Sequence, residues 1–289
     1  METNIRHKMY LEFFITLHCN LKCTNCSAAS PYFKPSYNSF EQFKRDCDKL
    51  KEFYTIDAAR FTGGEALLHP DVAKFISYPK EIGLAKVNCV VTNGISLLSA
   101  KDEFWQNVDY LHISVYSGTG INYNKIYDHV AKKMQQYPHI KLLEATDIDS
   151  IKSLESYKTD IQSKGIDLNL SYGYFKKIHT KEVKTDEEAQ SLYDQCWMKN
   201  SCHIVNDGRF YKCPMSLVKS KLYAQENIKE PFDLSVDSID LFSENAKLEL
   251  DQLLDSSRFL NACKTCNGFN TAPDELQSQL KSINVSDII

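Results

Sequence analysis

Residues 11–26 of the chain read LEFFITLHCNLKCTNC, an apolar run followed by three cysteines. The run predicts a β-strand, and Cys19, Cys23 and Cys26 follow it at C-x3-C-x2-C spacing. Three thiolates can hold three irons of a 4Fe–4S cluster, whereas a cluster held entirely by protein uses four cysteines. The motif therefore predicts a cluster with one iron open to another ligand. The alternative is a zinc site, which needs a fourth ligand, and His18 is the only nearby candidate.

The composition is typical of a soluble folded protein with no general affinity for polyanions. The chain has 289 residues, a formal net charge of -4 and 43% apolar residues, enough to bury a sizeable core. No apolar run approaches the ~20 residues that span a bilayer. Residues 1–8 lack the apolar region of a secretion signal. We therefore expect a cytoplasmic protein without nucleic-acid or membrane partners.

The chain contains ten cysteines. Cytosolic thiols stay reduced, so cysteines at short spacing predict metal sites and not disulfides. Eight of the ten fall into three groups, namely Cys19/Cys23/Cys26, Cys196/Cys202/Cys213 and Cys263/Cys266. Cys47 and Cys89 stand alone, and we interpret them as buried core thiols.

Strands and helices alternate six times over residues 9–175. The expected strands are 9–16, 57–61, 86–92, 110–115, 139–145 and 167–172. The expected helices are one from Ser39, with Gln42 as its capping-box partner, and then 71–82, 99–107, 121–136 and 150–164. Such alternation predicts parallel strands with helical crossovers. Six units are too few for an eight-stranded barrel, so we expect an α/β fold with a partial (β/α)6 barrel.

The pattern changes after about residue 175, which predicts a barrel over 1–178 and a small α+β iron–sulfur domain over 179–289. Residues 204–213 are typical of a hairpin with its turn at Asn-Asp-Gly. A helix is expected over 238–258. The polar tail beyond Thr271 is expected to be loosely held.

Three motifs directly follow predicted strands. They are the three-cysteine loop, Thr62-Gly63-Gly64-Glu65 and Thr92-Asn93-Gly94. Sites in parallel α/β sheets lie beyond the carboxyl ends of the strands. The three motifs should therefore meet at one rim of the barrel.

In this order and at strand ends, the three motifs resemble those of the radical S-adenosylmethionine (SAM) superfamily. The resemblance covers roughly residues 9–175. It implies that the open iron binds the amino and carboxylate groups of SAM, and that the reduced cluster cleaves SAM to a 5′-deoxyadenosyl radical. That radical abstracts hydrogen from carbon. It also implies a reductant such as flavodoxin or ferredoxin.

The resemblance assigns SAM-binding roles to particular residues. The implied SAM-binding residues are Gly63, Gly64, Glu65, Thr92, Asn93 and Ser114. Glu65 is expected to brace its turn, and Ser114 to face the ribose or the carboxylate of SAM. Asn25 departs from the family pattern, because many relatives carry an aromatic residue there, close to adenine.

The later cysteines resemble the twitch or SPASM extension of radical SAM enzymes, which holds auxiliary 4Fe–4S clusters. The spacing is Cys196-x5-Cys202-x5-Gly208-x4-Cys213, followed by Cys263-x2-Cys266. The full SPASM pattern has seven cysteines for two clusters, so five suit one cluster with a thiol to spare. Spacing leaves open which of Cys196 and Cys202 is the ligand. A zinc ribbon is the alternative.

The expected reaction is oxidation of a carbinol in a small or carrier-linked molecule, with the auxiliary cluster as electron acceptor, similar to the sugar dehydrogenase of aminoglycoside pathways. An epimerase is an alternative and would need a hydrogen-donating thiol, such as Cys202, Cys89 or Cys47. A peptide maturase is another, although Cys19 lies close to Met1 and we expect no leader-binding domain. Outside the class, the chain could be a non-catalytic iron–sulfur or zinc electron-transfer module.

Overall fold

A computed structural model describes residues 5–114, 116, 119–143, 174–276 and 278–289. The strands are β1 (Arg6–Phe14), β2 (Tyr54–Thr62), β3 (Ala85–Thr92), β4 (Tyr110–Ile113), β5 (Lys141–Leu143), β6 (Tyr174–Lys176), β7 (Ile204–Asn206), β8 (Arg209–Tyr211), β9 (Ser238–Asp240) and β10 (Asp274–Leu276). The helices are α1 (Phe40–Lys51), α2 (Val72–Glu81), α3 (Asp102–Asn107), α4 (Tyr123–Gln136), α5 (Asp186–Gln195), α6 (Met198–Ser201), α7 (Pro214–Glu226) and α8 (Ala246–Asp255).

The main sheet has the order β5-β4-β3-β2-β1-β7-β8-β9. From β1 to β5 each strand pairs in parallel with the next one along the chain, and the helices α1 to α4 connect these five strands. The predicted α/β fold with a partial barrel of parallel strands is therefore confirmed. The helix expected at 150–164 and the strand expected at 167–172 lie outside the described residues, so the sixth unit stays a prediction.

Strand β1 is held on both sides, because β2 pairs with it along its length and β7 pairs with it in parallel. Strands β7 and β8 form the predicted hairpin, and its turn places Asp207 and Gly208 in the left-handed region at φ 47° and 77°. The hairpin thus extends the barrel sheet across the predicted boundary at residue 178. The division into two domains stays a prediction.

Two sequence expectations about the later region are wrong. Residues 238–240 form strand β9 beside β8, and helix α8 begins only at Ala246. The reason is the apolar Ile239, which pairs with Phe210 and is buried in the sheet. The tail beyond Thr271 is not loosely held, since β10 pairs with β6 and Leu280 donates to the Lys22 carbonyl.

The start of α1 agrees with the sequence only in part. The Ser39 hydroxyl accepts from the Gln42 backbone N–H, as expected of an N-cap. The reciprocal half of a capping box is not formed, because the Gln42 amide donates to Asp46 at 2.6 Å.

The two faces of the parallel strands differ in chemistry. The face toward the helices is apolar, and Phe13 of β1 lies 5.3 Å from Phe43 and 5.5 Å from Phe61 between ring centroids. The opposite face, called the inner face here, is lined by Tyr10, Glu12, Arg60, Cys89 and His112. The aromatic core therefore fixes the end of β1, from which the first cysteine loop leaves. Among the described helices, none has the length and apolar character required to cross a bilayer.

Candidate functional site

The first cysteine loop and the glycine turn after β2 are paired through their backbones. The Gly64 N–H donates to the Thr16 carbonyl at 3.1 Å, and the Glu65 N–H donates to the His18 carbonyl at 3.0 Å. A Cβ on Gly64 would lie 2.0 Å from the His18 carbonyl oxygen. Gly64 is therefore needed for the close approach of the two loops, one residue before Cys19.

Gly64→Ala should destabilise the protein by about 2–3 kcal/mol, because the added methyl group meets backbone that cannot move freely. Urea unfolding would measure the loss. Gly120→Ala is the matched control, since Gly120 has φ +74° and no atom within 4 Å of an added Cβ; it should cost only about 1 kcal/mol for the left-handed backbone. Equal losses in the two variants would show that this loop contact does not matter.

Glu65 joins the turns that follow β2 and β3. Its carboxylate is buried and accepts hydrogen bonds from the Thr92 hydroxyl at 2.8 Å, the Asn93 N–H at 2.9 Å and the Leu67 N–H at 3.2 Å. Burial raises its pKa, and these three donors oppose the rise. The carboxylate thus braces both turns from within.

Asn93 reaches from the third motif to the first. Its side-chain amide donates to Asn20 Oδ1 at 2.7 Å and to Cys19 Sγ at 3.7 Å. The third motif also adjoins the next strand, because the Ser114 N–H donates to the Thr92 carbonyl at 2.8 Å. The three sequence motifs and Ser114 therefore lie at one rim, as the strand order required. Asn20 had no sequence signal, since it is an unspecified position of C-x3-C.

The three thiols lie near one another and near an aromatic ring. Burial raises the pKa of Cys19 to about 12, with further contributions from negative charge at Glu65, Cys26 and Cys23. Burial and the charges of Cys26 and Cys23 likewise raise the pKa of Tyr116. Tyr116, which sequence reasoning missed, therefore lies close to the first thiol group.

The C-terminal segment closes over this loop. The Gln279 amide donates to Cys23 Sγ at 3.3 Å and accepts from the Lys22 N–H at 2.7 Å. Asn25, at the position where many radical SAM relatives carry an aromatic residue, has φ 56° and donates to Glu275 at 2.8 Å. Asn25, which replaces the aromatic residue of many relatives, thus helps to hold the C-terminal segment against the first cysteine loop.

His179 connects the first cysteine loop with the second set of cysteines. Its Nε2 lies 3.1 Å from the Cys26 carbonyl and 3.0 Å from the Ser27 carbonyl, so Nε2 carries the proton and donates. Burial lowers its pKa to about 4, which keeps the ring neutral at pH 7. Its backbone forms an antiparallel bridge with Cys266.

Four of the five later cysteines lie together. Burial raises the pKa of Cys213, and negative charge at Cys263, Cys266 and Cys196 adds to the rise. The buried Asp237 carboxylate ties the turn that holds Cys263 to α7, accepting from the Asn261 N–H at 2.7 Å, the Ala262 N–H at 2.9 Å and the Ser216 hydroxyl at 2.8 Å. The second thiol group is defined as Cys196, Cys213, Cys263 and Cys266.

Cys202 faces elsewhere. Its side chain is buried on the inner face, where Sγ lies 3.5 Å from the Tyr10 hydroxyl. Burial raises its pKa, and the charge of Glu12 adds to the rise. Of the two alternatives left by spacing, the structure brings Cys196 and not Cys202 to the second thiol group.

Residues 13–148 match the family model described as the Radical SAM superfamily. The chain carries a radical SAM domain. The match includes the three motifs at the rim, from Cys19 to Ser114, and ends before the second thiol group.

The curated relatives match about a third of the chain. The chain is 35% identical over 106 residues to an S-adenosylmethionine-dependent nucleotide dehydratase of Selenomonas ruminantium, covering 36% of this chain and 37% of that protein. It is 28% identical over 96 residues to a GTP 3′,8-cyclase of Clostridium botulinum, covering 32% and 30%. The chain thus matches little more than a third of these relatives' length. A crystal structure of BtrN in complex with AdoMet and 2-DOIA shares 14% identity over 92% of this chain and 96% of that one, with a TM-score of 0.45.

The donor set at the rim of the radical SAM domain fits an iron–sulfur cluster. Burial is the main cause of the raised pKa of Cys19, and negative charge at Glu65, Cys26 and Cys23 adds to it; a cationic iron core would offset both effects and favour the thiolates. In the ranges that the structure describes, no three His, Cys, Asp or Glu side chains converge closely enough for one metal ion. A zinc ion and a cluster of four irons are distinguished by metal analysis.

Proposed function

We propose that the chain is a radical SAM oxidoreductase that oxidises a carbinol carbon of a small or carrier-linked molecule. The observation that carries the proposal is the convergence of three strand-end motifs, in which Asn93 contacts Cys19 and Glu65 holds Asn93. The radical SAM domain supports the reaction class. We further propose a barrel domain over 1–178 and an auxiliary cluster domain over 179–289.

In this proposal Cys19, Cys23 and Cys26 hold a 4Fe–4S cluster with one open iron. Such a cluster, once reduced, cleaves SAM and supplies a 5′-deoxyadenosyl radical. Backbone carbonyls of the Gly63–Gly64 turn receive the ammonium group of SAM, and Glu65 keeps that turn in place. The other side chains assigned to SAM are Thr92, Asn93 and Ser114. Tyr116 and the tail around Gln279 exclude water from the loop.

The second thiol group is proposed to hold the auxiliary 4Fe–4S cluster. Four thiolates complete the coordination of such a cluster, which then serves as an electron acceptor and not as a substrate site. Hydrogen bonds around the group support this role: Asp237 holds the turn before Cys263, and the Gly268 N–H donates to Cys266 Sγ at 3.3 Å. Hydrogen bonds to sulfur help to set the potential of such a cluster. A flavodoxin or ferredoxin is the proposed reductant of the first cluster.

Epimerisation is a second candidate, favoured by one observation. Cys202 is not part of the second thiol group and its thiol lies on the inner face beside Tyr10. A thiol there could return hydrogen to a substrate radical from the opposite side. The names of the relatives point to nucleotides as a further substrate class, but each match covers only part of the relative.

Anaerobic incubation of the reconstituted protein with SAM and dithionite tests the proposal. We expect 5′-deoxyadenosine by chromatography, and with a carbinol substrate we expect a carbonyl product without solvent deuterium. Product that retains its oxidation state and gains one deuterium from D₂O would establish the epimerase instead. The absence of 5′-deoxyadenosine from protein with full iron content would exclude both reactions.

A further inference from the structure

The inner face holds polar side chains on four neighbouring strands, and those of the first three strands are in register. Glu12 of β1 pairs with Arg60 of β2, and Arg60 pairs with Cys89 of β3. His112 of β4 lies on the same face. We define the inner-face cluster as Tyr10, Glu12, Arg60, Cys89, His112 and Cys202.

Two members of the cluster form a buried ion pair that is not supported by hydrogen bonds from other described residues. Arg60 Nη1 lies 3.4 Å from Glu12 Oε1, and their side chains are only 13% and 9% exposed. Within the described residues, neither side chain makes a hydrogen bond; the guanidinium also lies 5.6 Å from the centre of the Tyr10 ring. A buried ion pair offsets its desolvation only when further hydrogen bonds satisfy it. The remaining donors and acceptors are therefore available to a ligand.

His112 adds a second unsatisfied group. Its ring is 5% exposed, and burial and the charge of Arg60 lower its pKa to about 3, so it is neutral. Neither ring nitrogen has a hydrogen-bond partner in the described part of the chain. Buried polar groups are nearly always hydrogen-bonded, and Cys202 with Tyr10 makes the single side-chain hydrogen bond described within this cluster.

The cluster lies directly below the rim. Glu12 and Arg60 each come two residues before the end of their strand, at Phe14 and Thr62. At about 3.3 Å per residue this is about 7 Å. The unsatisfied groups therefore lie just beneath the three strand-end motifs of the radical SAM domain.

We propose that the inner-face cluster binds an uncharged, polyhydroxylated ring such as a sugar or a cyclitol, with Glu12 and Arg60 as its anchors. The inference rests on the proposed carbinol oxidation and names its substrate class. The carboxylate accepts from hydroxyl groups, the guanidinium donates to neighbouring hydroxyl oxygens, and the neutral imidazole does either. The charges of Glu12 and Arg60 cancel.

A phosphorylated ligand fits this face poorly. Among the described residues of the parallel strands, the further cations on this face are Lys8 of β1 and Lys141 of β5. Lys141 donates to the Tyr110 hydroxyl at 3.3 Å and lies over that ring. Neither lysine pairs directly with Arg60, so the described part of this face does not match the charge of a nucleoside triphosphate. GTP is therefore the discriminating probe, because the relatives' names include a GTP cyclase.

Calorimetry on the reconstituted, SAM-loaded protein tests the proposal with myo-inositol, D-glucose and GTP as probes. We expect at least one of the two polyols to bind. The double variant Glu12→Gln/Arg60→Met should raise the Kd of that polyol at least about tenfold, because one to two hydrogen bonds to charged groups are lost. The double variant removes both charges together, so no unpaired charge is left buried. His112→Gln is the second variant and should weaken the same polyol, and exposed Arg45→Met is the control.

Failure of both polyols to bind, equal binding by wild type and double variant, or GTP binding that depends on Arg60 would each overturn the proposal. The outcome is separable from that of the proposed function. Polyol binding without oxidation retains this site and rejects the reaction. Oxidation that is unaffected by the double variant retains the reaction and rejects this site.

Discussion

Cys23→Ala should produce no detectable 5′-deoxyadenosine and should contain about four fewer iron atoms per chain than the wild type, since a cluster of four irons loses one of three ligands. The loss should be complete because the loop has no spare thiol that could replace Cys23. Its nearest side-chain neighbour from the tail is Gln279, whose neutral amide donates to Cys23 Sγ. Iron analysis and chromatography of SAM products measure the two effects.

Cys47→Ala is the matched control. Cys47 is buried on α1 in the apolar core, so the variant should retain about eight irons and full SAM cleavage. Retention of iron and 5′-deoxyadenosine by the Cys23 variant would mean that the first loop does not hold the cluster. A wild-type protein that contains zinc and little iron would favour a zinc site.

The second large effect concerns the later cysteines. Cys263→Ala should lower iron from about eight to about four per chain, keep SAM cleavage and stop product formation, because the electron acceptor is lost. Cys202→Ala should keep about eight irons, since Cys202 faces Tyr10 and not the second thiol group. Iron analysis with electron paramagnetic resonance of the reduced protein distinguishes the two variants.

The opposite pattern would reject the ligand assignment. If Cys202→Ala loses half of its iron and Cys196→Ala does not, Cys202 is the ligand. If Cys263→Ala still yields product, the auxiliary cluster is not the electron acceptor.

Much of the site could be predicted because its parts are local in sequence. Cys19, Cys23 and Cys26 lie within eight residues, and the other two motifs each follow a strand whose β-branched and apolar residues are apparent. Parallel strands bring their carboxyl ends to one edge, so the meeting of Glu65, Asn93 and Cys19 followed from strand order alone.

The missed residues depend on long-range contacts. Gln279 contacts Cys23 across 256 positions of the chain, and His179 reaches the carbonyl of Cys26 across 153. A glutamine in a polar tail and an isolated histidine carry no pattern that predicts such contacts. The choice between Cys196 and Cys202 likewise required the fold, because only the fold shows that the Cys202 thiol faces Tyr10 on the inner face.

The parallel pairing of β7 with β1 limits how this protein can be divided or recombined. A fragment that stops at residue 178 would leave one edge of β1 without its neighbour, since Glu12 and Phe13 pair with Ile204 and Val205. An open, apolar strand edge promotes aggregation. Chimeras that exchange the cluster-binding extension between related proteins should therefore take β1 and the hairpin β7–β8 from the same parent, so that this strand pairing is kept.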